Sequence, residues 1–197
     1  MEQEPEDKAD IALMLRAGKG DMAAFSEIVA RHQQMIFGTA AKMLGSADDA
    51  EDIAQTVFIR AWKAAPNYVP TAKVTTWLLT ITRNLVFNES RRRRRATFES
   101  FEQSIAPGED TPRQFVDTAQ RDANELIHEQ EVTAAVDAAI AMLPENARLA
   151  VILRRDQDMP YEDIARVLNL SLANVKTIIF RARIELKERL QSLLDEK

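Results

Sequence analysis

The sequence predicts an all-α fold of two small helical domains joined by a flexible linker, with a helix-turn-helix in the C-terminal domain. Only five glycines and seven prolines interrupt the 197 residues. Alternating runs of β-branched residues are nearly absent, so helices are favoured over strands. Apolar residues make up 46% and charged residues 29% of the chain, which allows packed cores in one ordinary domain or two small ones.

The N-terminal domain is expected over residues 10–95. An apolar stripe with helical spacing covers Met22–Leu44 and stops at Gly45. Ser46 is a suitable N-cap for the next helix, whose apolar residues recur at helical spacing until Pro66 ends it.

A third helix, predicted over residues 74–92 with Trp77 in the core, leads into a sharp change of charge. Residues 83–95 contain six arginines and one acid, whereas residues 96–131 contain nine acids and two bases. The net charge of −5 therefore conceals a basic and an acidic segment. Prolines, a glycine and fewer apolar residues then predict an acidic linker over residues 96–128, with some helix near its end.

The C-terminal domain is expected over residues 129–194. Its first two helices are predicted over residues 134–143 and 145–155, with Pro144 in an N1-like position of the second. A short helix over residues 161–168 and a long helix over residues 172–193 follow, separated by three residues. This order is the plan of a helix-turn-helix.

The long helix has two different faces. Val175, Ile179 and Ala182 lie on the side that packs inward, whereas the opposite side places Phe180 among cationic and polar residues. Lysine, arginine and asparagine bind phosphates and base edges in the major groove, and apolar groups contact thymine methyls. The pattern favours a DNA-reading helix, although any two packed helices can produce this spacing.

The run from Arg91 to Arg95 ends a helix that also carries Asn84, Phe87 and Asn88. Amides and an aromatic ring beside cations suit unpaired bases, and the preceding loop, residues 66–73, could form a wall of a base pocket. A run of like charges is also typical of a solvated face.

The acidic start of the second helix contains Asp48, Asp49, Glu51 and Asp52. Three interpretations remain open: these acids complement the helix dipole, bind a metal, or form a protein-docking surface together with the exposed residues that follow. A metal site would need a second acidic motif across a cavity.

Several site classes are not expected. The chain has no cysteine, which excludes disulfides and thiolate chemistry and suits a reducing cytoplasm. His32 and His128 have no partners at metal-ligand spacing, and no phosphate loop or nucleophile-base pair is present. We therefore expect no enzyme activity, cofactor or metal, and the lack of a long apolar run predicts no membrane insertion.

The order of these motifs resembles that of bacterial extracytoplasmic-function (ECF) sigma factors. In the N-terminal domain the matching segments are residues 20–25, 49–62, 76–78 and 83–85. In the C-terminal domain they are residues 143–144, 161–165, 175–176 and 181–183. The resemblance extends from about residue 10 to residue 190.

This resemblance implies core RNA polymerase, promoter DNA and an anti-sigma factor as partners, with the acidic linker running toward the active-site channel and the RNA exit path. The chain would contact the clamp helices and the flap of the polymerase. The clamp helices would be bound by Asp48, Asp49, Glu51, Asp52, Gln55, Thr56, Ile59 and Arg60. A minus-10 element would be bound by Asn67, Tyr68, Lys73, Arg83, Asn84, Phe87, Asn88, Arg91 and Arg92. A minus-35 element would be bound by Ser171, Asn174, Lys176, Thr177, Phe180, Arg181 and Arg183.

Two other functions fit the residue patterns taken alone. A free-standing helix-turn-helix regulator would bind duplex DNA as a dimer with half-sites about one helical turn apart. A helical adaptor would bind a protein partner through residues 48–63 and would not need Lys176 or Arg181.

Overall fold

Every element of regular secondary structure in the described residues is a helix. A computed structural model describes residues 5–101 and 123–195, and in these ranges it contains no strand. The elements are α1 (Pro5–Ala17), α2 (Met22–Leu44), α3 (Ala47–Ala64), a 3₁₀ turn (Ala65–Asn67), α4 (Val74–Phe101), α5 (Ala123–Ala141), α6 (Glu145–Asp156), α7 (Tyr161–Leu168) and α8 (Leu172–Asp195). The predicted all-α class is confirmed. No helix in these ranges is both long and apolar enough to span a membrane.

Helices α1 to α4 enclose the core of the N-terminal domain. α2 packs against α1 and α3, and α4 packs against α2 and α3. Met14, Ile28, Ile36, Val57 and Leu78 have no exposed surface. Burial of each such side chain contributes about 1.5–3 kcal/mol, so the apolar stripes determine how these helices pack. Trp77 packs against this core, as predicted.

Two adjacent caps set the chain reversal between α2 and α3. Gly45 ends α2 in the left-handed conformation, with φ 68°, and its N–H donates to the Ala41 carbonyl at 2.8 Å. The Ser46 Oγ then accepts a hydrogen bond from the Asp49 N–H at 3.3 Å. Because Gly45 tolerates positive φ and Ser46 satisfies a free amide, the turn needs only these two residues. Both predicted caps are confirmed.

Helices α7 and α8 form the predicted helix-turn-helix. Asn169 ends α7 with φ 54°, and the Ser171 Oγ accepts a hydrogen bond from the Asn174 N–H at 3.2 Å. Ile164 and Val175 are fully buried between the helices of this domain. The three-residue turn and the Ser171 cap are confirmed.

Helix α4 is longer than its apolar pattern predicts: it continues to Phe101 instead of ending near residue 92. Arginine is a good helix former. Glu89 also forms ion pairs with Arg92 and Arg93, at 2.9 and 3.1 Å. Ion pairs at these spacings stabilise a helix after its apolar stripe has ended.

The predicted linker boundaries change at both ends. α5 begins at Ala123 rather than near residue 134, so the segment predicted as a linker, residues 96–128, is helical at its two ends. Residues 102–122 lie outside the described residues. Pro144 is the N-cap of α6 rather than its first helical residue, a position where the missing N–H is also harmless.

The two domains are in contact, which the sequence patterns did not predict. α4 packs against α7, and α2 packs against α6. Buried residues from both domains belong to one continuous hydrophobic cluster. Helical periodicity indicates which face of a helix is buried but not which element covers it.

Candidate nucleic-acid interface

The outer face of α8 combines cations with exposed apolar side chains. Phe180 is 65% exposed and Ile184 is 44% exposed. On the inner side of the same helix, Val175, Ile179 and Ala182 are buried. Exposed large apolar residues beside cations have no role in this domain's packing, so this face is a candidate binding surface.

The cations of this face carry no counter-charge. Lys176, Arg181 and Arg183 form no ion pair within the part of the chain that the structure describes. The Thr177 hydroxyl donates to the Ala173 carbonyl at 3.0 Å and keeps its oxygen as an acceptor. All seven residues that the resemblance assigns to minus-35 binding are exposed: Ser171, Asn174, Lys176, Thr177, Phe180, Arg181 and Arg183.

Amide and guanidinium groups line two adjoining open pockets along α4, together called the α4 groove. One pocket, of about 490 Å³, is lined by Asn88, Arg91, Arg92, Arg95 and Ala96. The other, of about 320 Å³, is lined by Arg83, Asn84, Phe87, Asn88 and Arg91. The groove therefore brings together six of the nine residues assigned to minus-10 binding.

One acid partly neutralises the groove. Arg92 donates two hydrogen bonds to Glu89, from Nε and Nη2, both at 2.9 Å. This arrangement and the nearby Arg93 lower the pKa of Glu89, so its carboxylate remains ionised at neutral pH. Arg91 and Arg95 have no ion-pair partner among the described residues. Arg91 and Arg95 are therefore uncompensated cations of the groove within these ranges.

The sequence predicts that the Phe87 ring is available to stack on a base, but the structure buries it. Its side chain is only 6% exposed. The Arg83 guanidinium lies over the ring, 5.0 Å from its centroid, and Arg83 also donates to the Asn84 side-chain oxygen at 3.0 Å. In this conformation Phe87 therefore has no free face on which a base could stack.

The other three residues assigned to minus-10 binding lie outside the groove. Tyr68 is buried, and its ring packs edge-on against Trp77 with centroids 5.2 Å apart. Burial raises the pKa of Tyr68. Lys73 pairs with Asp7 at 2.8 Å, and Asn67 is exposed in the 3₁₀ turn. The structure therefore gives Tyr68 and Lys73 packing and pairing roles within the N-terminal domain.

The outward side of α3 is acidic and contains one exposed apolar residue. Ile59 is 55% exposed, and Thr56 is half-buried. The exposed polar residues around them are Asp48, Glu51, Asp52, Gln55 and Arg60. Within the described residues no three His, Cys, Asp or Glu side chains converge as metal ligands would. An exposed apolar residue surrounded by polar residues matches the apolar core and polar rim of protein-docking surfaces.

Asp49 differs from the other acids because it anchors α4. It forms an ion pair with Arg93, which also donates to the Leu44 carbonyl at 3.3 Å. Ser46 and then Arg93 lower the pKa of Asp49. Sequence reasoning treated Arg93 only as one member of the arginine run. Apart from Glu89 on the same helix, the partners named here, Asp49 and Leu44, lie 44 and 49 residues earlier, and no local pattern shows that separation.

Both domains match family models. Residues 28–96 match Sigma-70 region 2, and residues 133–186 match Sigma-70, region 4. The first range contains the outward side of α3 and every residue that lines the α4 groove. The second contains α7, the turn and α8 as far as residue 186.

Curated relatives align with nearly the whole chain. The RNA polymerase sigma-H factor of Pseudomonas aeruginosa is 33% identical over 190 residues, which are 95% of this chain and 96% of the relative. The ECF RNA polymerase sigma-E factor of Haemophilus influenzae is 31% identical over 192 residues, 96% of this chain and 99% of the relative.

Similarity in structure also extends over both domains. The structure of CnrH in complex with the cytosolic domain of CnrY superposes with a TM-score of 0.66 and 26% identity, covering 93% of this chain and 98% of CnrH. The two sigma regions occur in the same order along the chain, and full-length relatives reach 33% identity. The chain therefore belongs to the ECF sigma factors, the transcription initiation factors that the motif order in its sequence predicted.

Proposed function

We propose that this sigma factor binds core RNA polymerase and directs it to promoters by reading a minus-35 element with α8 and by capturing unpaired minus-10 bases in the α4 groove. The observation that carries the proposal is the outer face of α8, where Phe180 is 65% exposed beside unpaired cations. The protein acts by binding, without a catalytic step of its own, in the cytoplasm where transcription takes place.

The α8 face has the side chains needed to read duplex DNA. Arg181 and Lys176 are suited to guanine or phosphate, and Asn174 is suited to adenine. Phe180 offers an apolar surface for thymine methyl groups. Each good pair with a base edge contributes about 1–3 kcal/mol of discrimination, so a few such residues suffice to select one promoter class.

The α4 groove suits unpaired bases better than duplex DNA. The Asn84 and Asn88 amides lie one helical turn apart and can bond base edges, while Arg91 is free to bind the backbone. Unstacking costs a few kcal/mol per base, and stacking plus pocket contacts of about 1–3 kcal/mol per base offset this. Recognition and melting then occur in one step.

The outward side of α3 is the proposed docking surface for the polymerase. Ile59 supplies an apolar centre, and Asp52 and Gln55 lie on its exposed polar border. Such a surface fits the clamp helices of the largest subunit if these are basic with an apolar stripe, because a polar rim then surrounds an apolar contact. The C-terminal domain would contact the flap.

Control by an anti-sigma protein is part of the proposal. The similar protein CnrH was solved in complex with the cytosolic domain of CnrY. The fold and order of regions that this chain shares with CnrH support a protein partner for this chain too, and we propose that this partner is an anti-sigma factor.

Run-off transcription on a genomic fragment library tests the proposed function. Core polymerase with this chain should produce discrete transcripts that core polymerase alone does not. The double variant Lys176→Ala/Arg181→Ala should lose them. The matched control Lys8→Ala/Lys19→Ala removes two exposed cations from α1 and the turn after it and should retain them.

Two outcomes would contradict the proposal. Tight, promoter-specific duplex binding by a dimer without polymerase would indicate a free-standing regulator. Full activity of Lys176→Ala/Arg181→Ala would indicate an adaptor that does not read DNA.

A further inference from the structure

One face of α1 lies against residues 65–73, the segment that connects α3 to α4 and is called the α3–α4 loop below. α1 packs against the 3₁₀ turn that begins this loop and against α4, which follows it. Asp7, Asp10, Met14 and Gly18 recur every three or four residues, which is the spacing of one helical face. This face meets the loop at its beginning, its middle and its end.

At the beginning of the loop, Gly18 lets the chain after α1 touch the backbone of Ala65. A Cβ at position 18 would lie 2.5 Å from the Ala65 carbonyl oxygen, too close for two nonbonded atoms. Unlike Gly20 and Gly45, Gly18 has no positive φ, so it is the close approach that requires glycine here. The same oxygen accepts a hydrogen bond from the Tyr68 N–H at 3.1 Å. A side chain at position 18 would therefore displace the group that holds Tyr68.

In the middle of the loop, Tyr68 is held by packing. Its ring lies against Trp77, and its hydroxyl is buried without a hydrogen-bond partner in the described ranges. Burial and then the charge of Asp10 on α1 raise the pKa of Tyr68, which places this carboxylate near the ring. Asp10 in turn bonds Arg31 and His32 of α2, at 2.9 and 2.7 Å. The surface behind Tyr68 is therefore itself fixed to α2.

At the end of the loop, an ion pair connects Lys73 to α1. The Lys73 Nζ lies 2.8 Å from the Asp7 carboxylate, and the two side chains are 30% and 14% exposed. A partly buried pair is screened less by salt than a pair on the open surface. The Lys73 carbonyl also accepts from the Trp77 N–H at 3.1 Å. The pair therefore fixes the point at which the loop enters α4.

Between these three anchors the loop presents polar and apolar groups to solvent. Asn67 and Thr71 are exposed, and Val69 is 67% exposed. The Thr71 N–H donates to the Val69 carbonyl at 2.8 Å, so the loop turns tightly here. A large exposed apolar residue beside an amide adds nothing to the packing of this domain, but it suits contact with an unpaired base. Tyr68 and Lys73 act beneath this surface.

We propose that α1 is a positioning element for minus-10 recognition: Gly18 and the Asp7–Lys73 pair hold the α3–α4 loop so that Asn67 and Val69 contact one unpaired base. This inference rests on the proposed function and extends it from the α4 groove to the loop. Groups that select a base must be held in one geometry, and a loop ordered in advance loses less freedom on binding. Loss of an anchor should therefore reduce discrimination at one base position.

Base preference of the complex between the full-length chain and core polymerase tests this role. The probes are fluorescent single strands with the non-template minus-10 sequence of one promoter found by run-off transcription, carrying each of the four bases at each position in turn. Asn67→Ala/Val69→Ala identifies the position that the loop reads, because only there should it lose preference between bases. Asn84→Ala in the α4 groove should lower the preference at a different position.

Two substitutions remove the anchors without touching the exposed surface of the loop. Asp7→Asn and Gly18→Ala should each reduce the base preference at the loop's position by about fivefold or more and leave the other positions unchanged. The control Asp137→Asn breaks a partly exposed ion pair with Arg155 in the C-terminal domain. The control Gly38→Ala adds a Cβ that meets no atom within 4 Å. Both controls should keep the preference.

Charge reversal distinguishes positioning from general damage to the fold. Asp7→Lys and Lys73→Asp should each lose the preference, and Asp7→Lys/Lys73→Asp, which forms the pair with opposite polarity, should recover it. In Gly18→Ala the Tyr68 amide should exchange hydrogen faster while the amides of α8 are unaffected. If Gly18→Ala does not fold, the cycle of Asp7 and Lys73 variants decides alone.

The opposing outcomes separate this inference from the proposed function. An equal loss of affinity for every probe in Asp7→Asn, or no recovery in the charge-reversed pair, would overturn the positioning role. Unaltered preferences in Asn67→Ala/Val69→Ala, together with a lowered preference in Asn84→Ala, would overturn this inference and leave the groove's function standing. A complex of the unaltered chain that binds no probe would overturn both.

Discussion

The α8 face and the α4 groove have similar residue types but differ in access to solvent. Phe180 on α8 is 65% exposed, whereas Phe87 in the groove is 6% exposed. Duplex DNA presents its base edges without rearrangement, so a preformed open face can read it. Unpaired bases become available only on melting, and a surface for them can stay covered until then. The two phenylalanines therefore give the sharpest test of the difference.

The largest expected effect is the contrast between Phe87→Ala and Phe180→Ala. Truncating a buried phenylalanine destabilises a fold by about 3–5 kcal/mol. A substitution at an exposed position usually changes the free energy of unfolding by less than about 0.5 kcal/mol. Phe87→Ala should therefore lower the urea unfolding midpoint strongly, and Phe180→Ala should leave it unchanged while weakening binding to minus-35 duplex. Equal destabilisation by the two variants would mean that Phe180 is packed in solution.

The second-largest expected effect comes from removing a cation from the α8 face. Arg181→Ala should weaken duplex binding by about 1–3 kcal/mol, and if Arg181 binds a phosphate the slope of log affinity against log salt should fall by about 1. Fluorescence anisotropy over a salt series measures both quantities. Lys187→Ala, six residues further along the same helix, is the control and should behave as the unaltered chain. An unchanged affinity of Arg181→Ala would remove this residue from the interface.

A smaller effect should distinguish Asp52 from Asp49 of α3: the first should matter for polymerase binding and the second for stability. Asp52→Asn removes an exposed carboxylate without an ion pair in the described residues, so it should weaken polymerase binding without changing stability. Asp49→Asn breaks the pair with Arg93 and should lower stability, by about 1 kcal/mol or less for a partly exposed pair. Pull-down with core polymerase and urea unfolding give the two readouts. The same loss of stability in both variants would contradict this division.

The helices and their caps could be predicted because their signals are local in the sequence. Gly45 and Ser46 act through their own backbone and side chain, so their roles depend on no distant residue. The exposed face of α8 was also predictable, since Phe180 falls opposite the apolar stripe of its helix. These features are encoded within a few residues of where they act.

The position of Arg83 over Phe87, at one end of the α4 groove, was not predictable in the same way. The Arg83 guanidinium that lies over the Phe87 ring also bonds to the carbonyl of Leu168 in α7, 85 positions further along the chain. The end of α4 was missed because charge pairing with Glu89, rather than apolar periodicity, continues the helix. Interactions across the domains or between charges leave no periodic signal.

The smallest expected effect concerns the counter-charge that the α4 groove has and the α8 face lacks. Hydrogen bonds from Arg92, with Arg93 nearby, lower the pKa of Glu89, so its ion pairs stabilise the fold fully above the ordinary glutamate pKa. This contribution is lost as pH falls through the lower pKa of the folded chain.

Glu89→Gln should therefore be less stable than the parent near neutral pH, by about 1 kcal/mol or less, and the difference should vanish in acid. Urea unfolding over a pH series measures this. Glu188→Gln on α8, which removes a carboxylate without an ion pair in the described ranges, should show no pH-dependent difference. A stability advantage of the parent that grew as pH fell would contradict this, because it would mean that the fold raises the pKa of Glu89 and favours its protonated form.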